Sequence, residues 1–488
     1  MSDAAFVYVF LGAYMLITLA VSLYSMRGEK KTPDDYFLSN RGVGTFVLFF
    51  TLVATNFSAF FFLGFAGAGY RTGYSYYGPM AFGTALVALA FYIVGYRTWR
   101  IARQHNYITP PELIGKTHGS TTLEMLYLVV MVIFTLPYLA LQPIGAGYLL
   151  ANLTDGQIPY FWGATLLTAF IVLYVYLGGM RTVAWTDVVQ GILMFALITA
   201  AVWAISDAMG GITQANQQAY NAEPGLFAHD GVNAHYTPQK WFSFTILWFL
   251  SVAMFPHIFM RFFIPRSSAA LKTTIVLYPI VTAVLFLFPI TIGVLGHAQF
   301  PGLEGKDADQ ILPLMLGHYT PFWFEALVMV GAIAAFMSTM DSQLLALSSI
   351  LTRDLVPKLM RRRPSLEMEV ITGRVLVAAL AIVGLGIAYQ PPATILSIAT
   401  QAFSGMAVLF PATVATLYWP QTNTWGCIIS IIIGECLVFA FYLEWLPAAW
   451  TLGFLPVIPI VALAAAIVAF SSWLAPRPSP TQPNTLNP

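Results

Sequence analysis

Residues 325–354, EALVMVGAIAAFMSTMDSQLLALSSILTRD, set oxygen-bearing side chains at helical spacing inside an apolar run. Ala335, Ser338, Thr339 and Ser342 recur at i, i+3, i+4 and i+7, so they share one face of a helix. Asp341 and Ser342 lie three and four residues beyond Ser338 and begin a second oxygen-lined stripe beside the first. Hydroxyls and a carboxylate are hard ligands of the kind alkali and alkaline-earth cations prefer, and nothing soft is offered. A serine or threonine in such a helix also satisfies itself by bonding the carbonyl one turn back. Asp341 has no such outlet. An ionised carboxylate in hydrocarbon costs about 3 kcal/mol and calls for a cation, a proton or a water-filled cavity.

Three other places carry polar chemistry. The run TLVATNFSAFFFLGFAGAGY (51–70) holds Thr55, Asn56 and Ser58 at its middle, followed by Gly64, Gly67 and Gly69. That pattern fits a locally unwound helix whose free carbonyls hold a cation, and it fits close helix packing through small residues. YLGGMRTVAWTDVVQG (176–191) carries Asp187 one turn into an apolar run, where the helix dipole favours it and Arg181 offers a partner. WFSFTILWFLSVAMFPHIFMRFF (241–263) is interrupted by Pro256, which removes a backbone hydrogen bond. His257 beside it could titrate, bind a solute or cap the freed carbonyls.

The elements that must position these residues follow from composition. Of 488 residues 58% are hydrophobic, and 22 Lys+Arg with 21 Asp+Glu make only 9% charged, against about 25% in soluble proteins. A soluble enzyme, a disordered scaffold and a nucleic-acid binder are excluded. A polytopic α-helical membrane protein remains. Cys427 and Cys436 cannot form a disulfide framework and read as buried small side chains. Apolar runs predict thirteen spans near 5–25, 44–69, 74–97, 122–150, 159–178, 184–206, 240–263, 274–297, 322–350, 370–390, 393–418, 424–443 and 450–473. The first is too long, and lacks a cleavage site, for a simple signal peptide. With the N-terminus outside, every Lys and Arg except Arg71, Lys240 and Lys306 falls on the cytoplasmic side, Arg261 among them. The Pro-rich residues 474–488 read as a disordered cytoplasmic tail. The interrupted spans, second and seventh, are five apart. An odd separation gives opposite orientation, the mark of inverted repeats with the binding site where the broken helices meet.

GGMRTVAWTDVVQG (178–191), AAFMSTMDSQLLALSSILTRDL (334–355), FPHIFMRFF (255–263) and DDYFLSNRGVG (34–44) together resemble the sodium:solute symporter family, over about residues 5–420. Its bacterial members carry proline, pantothenate, monocarboxylates, sialic acid or galactose. The resemblance implies an all-α, five-plus-five inverted-repeat (LeuT-like) transporter core. Repeat one would span 44–206 and repeat two 240–418, with 5–25 and 424–473 as additional helices in a single domain, 1–473. It implies Na+ as coupling ion, held by backbone carbonyls of Ala54, Phe57 and Ala335 and the hydroxyls of Ser338 and Thr339. The last three belong to the stripe found above from spacing alone. Some members hold a further sodium at positions matching Asp187, Ser338, Asp341 and Ser342. Here Asp341 stands where several of them have serine, so two carboxylates could share a second Na+ or a proton.

Phe60 and Phe61 match polar positions of sugar carriers, and Asn56 matches an acidic position of proline carriers, which disfavours both solutes. Thr55, Asn56, Ser58, Phe60, Phe61, Tyr138, Gln142, Phe255 and His257 would line a small, mostly apolar pocket for a monocarboxylate or an amino acid. A Na+-coupled importer in the cell membrane is expected, with H+ or mixed coupling as its alternative and a carrier-like receptor or channel as the different class. The lipid bilayer and a small solute are the expected partners; no nucleic acid, obligate protein partner or enzymatic role is expected.

Overall fold

The computed structural model describes residues 3–27, 32–361 and 364–477. Lys30, Lys31, Arg362 and Arg363 of the charge pattern, and the tail from 478, lie outside the described residues. The principal helices are α1 (Asp3–Ser25), α2 (Thr45–Ala54), α3 (Phe65–Thr72), α4 (Tyr77–Ala90), α5 (Thr121–Leu153), α6 (Tyr160–Ala208) and α7 (Pro238–Ser251). They are followed by α8 (Pro256–Phe259), α9 (Ser268–Gln299), α10 (Phe322–Ile350), α11 (Leu366–Ala388), α12 (Ile395–Tyr418), α13 (Thr424–Tyr442) and α14 (Val457–Leu474). Side-chain oxygens of Ser120, Thr237, Thr394 and Asn423 accept backbone N–H groups at the starts of α5, α7, α12 and α13, satisfying donors a helix leaves free.

Burial is the reverse of a soluble protein's. Leu16, Trp203, Ile382 and Trp473 are exposed on the outside, while Asp187, Arg261, Asp341 and Gln343 are wholly enclosed. Among the described residues ten helical stretches are long and apolar enough to cross a membrane, or eleven when the bent pair Pro238–Met254 and Pro256–Phe262 counts as one. The expected thirteen are not reproduced by that measure. Two stretches, Phe60–His105 and Tyr160–Ala208, run 46 and 49 residues, well over the roughly 20 residues one crossing needs. Each contains a positive-φ glycine, Gly73 at 83° and Gly179 at 56°. Gly179 cannot be replaced cheaply, because a Cβ there would stand 2.5 Å from the Tyr36 carbonyl oxygen. The other shortfall is α2, ten residues long and cut off by the break at 55–59.

Both interrupted spans are broken where their sequences predict. Between α2 and Phe60 the chain leaves the helix over residues 55–59, then resumes as a wide turn, Phe60–Gly64, leading into α3. In the other, Phe255 is extended (φ −61°, ψ 132°) and Pro256 restarts the helix at a 60° bend. The glycines after the first break serve packing as well. A Cβ on Gly69 would lie 2.4 Å from the Ile290 carbonyl oxygen, which is how closely α3 approaches α9. At the chain's end, residues assigned by sequence to the tail are held: Arg477 donates to the carbonyls of Thr117 and Pro420.

Candidate functional site

α10 passes directly behind the break at 55–59 and presents its hydroxyl stripe to it. Ser338 Oγ donates toward the Ala54 carbonyl at 2.9 Å and lies 2.9 Å from the Ala335 carbonyl. Thr339 Oγ1 lies 3.1 Å from the Thr55 carbonyl and 3.0 Å from that of Phe57. Helix interruption is what frees these carbonyls to face a neighbour. The oxygens expected around sodium thus fall in two sets on neighbouring residues, Ser338 with the Ala54 and Ala335 carbonyls and Thr339 with those of Thr55 and Phe57. Every residue named is fully buried. A compact, water-excluded set of neutral hard oxygens suits a monovalent cation.

Beside it lies a second cluster, and here the structure corrects the charge pattern. Arg261 is not a flanking cytoplasmic cation: it is fully buried inside the bundle. The bend at Pro256 turns the following segment inward and carries the guanidinium to the end of α2, just before its break. Its Nη2 donates to Ser342 Oγ at 2.5 Å, Thr55 Oγ1 at 3.1 Å and Asp187 Oδ2 at 3.3 Å. Its Nε donates to Thr51 Oγ1 at 3.3 Å. Asp187 thus pairs with Arg261, whereas Arg181, the neighbour suggested by sequence, pairs with Asp35 at 2.9 Å. Thr51 also donates to Asp187. Asp341 sits on the far side of Ser342, accepting from Ser342 Oγ at 3.1 Å and from Tyr174 Oη at 2.7 Å. Asp187, Asp341 and Ser342 do come together, but around an arginine.

A third feature is a small aromatic cavity of about 20 Å³, room for roughly one water. Asn56, Phe60, Phe61 and Tyr138, expected around a solute, line it, and so do Trp248, Tyr278 and Phe403, which the sequence did not single out. Asn56 donates to Tyr278 Oη at 2.5 Å. Of the other expected solute residues, Ser58 is 3.2 Å from Tyr138 Oη, and Gln142 accepts the Ala59 N–H at 3.0 Å, which secures the restarted helix. Phe255 and His257 pack on Tyr138, their ring centroids 5.1 and 6.0 Å from it. Thr55 is displaced from this group, since its hydroxyl belongs to the Arg261 cluster.

Thr51 was missed although it lies one turn before Thr55, at the i, i+4 spacing that puts both on one face. Tyr278, Trp248 and Phe403 sit in runs where aromatic residues are too common to signal a cavity. Glu325 is buried, and Glu435 is buried with neither oxygen hydrogen-bonded among the described residues.

Residues 36–434 match the model of the sodium:solute symporter family. The chain is 29% identical over 460 residues to a sodium/pantothenate symporter of Escherichia coli (strain K12), covering 93% of each. It is 28% identical to the osmoregulated proline transporter OpuE of Bacillus subtilis (strain 168), over 96% of this chain and 95% of that one. Among solved structures, a Na+-coupled sialic acid symporter in a substrate-bound outward-open state superposes with a TM-score of 0.80 at 19% identity, covering 97% of this chain and 99% of the other. A nucleobase-cation-symport-1 family transporter in a closed conformation superposes at 0.60 with 12% identity, over 90% and 94%. These two likenesses bear on the fold.

Proposed function

The chain belongs to the sodium:solute symporter family, and from that membership we propose that it imports a small monocarboxylate or amino acid together with Na+ by alternating access. Members of the family are transporters, so the polar clusters in the membrane bind and move ions rather than catalyse. The observation that carries the reading is the meeting of the carbonyls of Ala54, Thr55 and Phe57 with the hydroxyls of Ser338 and Thr339. An ion there would bridge the broken span to α10. Binding would then favour whichever state brings those two elements together, and a solute in the adjoining cavity would share that bias.

The solute class rests on the cavity. Its polar groups are Asn56, Thr84, Tyr138, Tyr278 and the Trp248 indole N–H, its walls are otherwise apolar, and among the described residues no carboxylate, histidine, lysine or arginine lines it. Such walls suit an apolar body with one hydrogen-bonded end better than a polyhydroxylated sugar. At about 20 Å³ the cavity is contracted, so solute enters only after the surrounding helices part. Similarity to a sodium/pantothenate symporter points the same way.

The architecture we assign has thirteen spans. Counting the bent pair as one gives eleven. Dividing Phe60–His105 at Gly73, with α2 joined to its first part, and Tyr160–Ala208 at Gly179 gives the remaining two. Repeats over 44–206 and 240–418 then have opposite orientation, and the Lys/Arg distribution sets the N-terminus outside and the C-terminus in the cytoplasm.

Uptake of labelled lactate, pyruvate, acetate, pantothenate, proline and neutral amino acids into proteoliposomes, with and without a Na+ gradient and at two pH values, tests this. One of these solutes should accumulate only when sodium is supplied. Ser338→Ala with Thr339→Ala should abolish that stimulation and leave membrane insertion intact. Undiminished uptake in the double variant, or accumulation driven by a pH gradient alone, would remove the sodium assignment.

A further inference from the structure

We propose that Arg261 is a tethered cation that fills the pocket formed by Asp187, Thr55 and Ser342, so that this chain binds a single sodium, and that removing Arg261 turns the pocket into a second sodium site. The inference rests on the sodium site proposed above.

The geometry is that of an ion in a cage. One nitrogen, Nη2, touches a carboxylate oxygen and two hydroxyl oxygens at 2.5–3.3 Å. Those are the hard ligands a small cation would use, and Arg261 is fully enclosed with them. Asp187 and Ser342 are two of the residues whose types point to cation binding in the sequence. The structure puts a permanent positive charge where that cation would go. A guanidinium does not give up its proton, and unlike a free ion it cannot leave into either solution.

Charge balance makes the stoichiometry specific. With both ionised, Asp187 and Asp341 bring two negative charges into a closed space, and Arg261 supplies one positive charge, directly at Asp187 and through Ser342 at Asp341. One further cation neutralises the group. The oxygen set of Ala54, Phe57, Ser338 and Thr339 adjoins it through Thr55, whose carbonyl faces Thr339 while its hydroxyl faces Arg261. One sodium there closes the balance, and a second would leave a net positive charge in low dielectric, which burial strongly disfavours. Without Arg261 the same two carboxylates call for two sodium ions.

The test uses the purified full chain in detergent, with choline replacing sodium. Radioactive sodium binding to the wild type should saturate at one ion per chain, and its melting temperature should rise with sodium in one saturable step. Arg261→Ala should bind two ions and show a second step at higher sodium, which Asp187→Asn added to it should erase. Two ions bound by the wild type would overturn the proposal, and this measurement stands even where Arg261→Ala fails to fold. A folded Arg261→Ala that still binds one ion, or whose melting temperature follows pH instead of sodium, would overturn it too. A wild type that binds no sodium would overturn the sodium site itself and this inference with it, whereas the other failures leave that site standing.

Discussion

Two arginines follow the two helix breaks, and each pairs with a buried aspartate, yet they are built for different tasks. Arg71 lies in the last turn of α3 and pairs with Asp309 at 3.1 Å. Its side chain is 23% exposed, and Asp309 also accepts the Ile395 N–H at the start of α12 at 2.9 Å. That pair ties three segments together at the rim of the bundle, within reach of water. Arg261 follows its break much more closely, and both it and Asp187 are fully enclosed. A clasp at the rim can open at little cost because water takes over its partners. An enclosed pair has no such replacement. The comparison separates a contact suited to release from a charge suited to remain.

The enclosed pair should give the larger effect. Asp187→Asn removes the carboxylate that Arg261 touches and leaves only Asp341, beyond Ser342, as its counter-charge; breaking a buried pair in this way costs about 3–5 kcal/mol. Thermal unfolding in detergent should show a much lower melting temperature, and Asp187→Asn with Arg261→Met should recover most of the loss. A single variant as stable as the wild type would mean that Arg261 is not held by Asp187, and the contrast between the two arginines would disappear.

At the rim the expected change is in population rather than folding. Asp309→Asn weakens the pairing with Arg71 by about 1 kcal/mol, since the exposed arginine is screened by solvent. With Cys427 and Cys436 replaced by serine and Phe65 by cysteine, thiol labelling should then speed up several-fold as the cavity opens toward Arg71. Unchanged labelling would show that the pair does not hold that end shut. Burial raises the Asp309 carboxyl above its ordinary value of 3.8, against the pull of Arg71. A raised carboxyl pKa means that the folded chain holds the proton more tightly. Its contribution to stability is therefore complete below 3.8 and is lost as pH rises through the folded value.

The sequence carries the two clusters unequally, for physical reasons. Ser338 and Thr339 are readable because one helix sets their spacing and hydrocarbon makes each hydroxyl conspicuous. The break at 55–59 is readable for the same reason. Arg261 is misplaced because a count of charges along the chain treats an arginine near the end of a span as lying in the adjoining loop. Only the 60° bend at Pro256 turns it inward. The proline was visible, but the direction of the turn depends on packing against α2 and α10. Arg71 and Asp309 belong to separate segments, and nothing in their local sequence announces the pairing.

A third polar tie, without an ion pair, sharpens the contrast by its smaller size. His118 closes the short helix Pro110–His118 and bridges α12 and α13, with Nε2 2.9 Å from Thr416 Oγ1 and Nδ1 3.0 Å from Thr424 Oγ1. Thr416 spends its own proton on the Ala412 carbonyl, so it accepts from Nε2–H, and Nδ1 is left to accept from Thr424. Only a neutral imidazole can do both. Burial, aided by Arg477, accordingly lowers the pKa from 6.5 to about 4. The folded chain resists protonation, so this stability is complete above pH 6.5 and is lost as pH falls toward about 4. Melting temperatures measured from pH 7.5 to 5 should decline modestly. His118→Gln, whose amide can both donate and accept, should flatten that decline. A slope unchanged by His118→Gln would place the titrating group elsewhere.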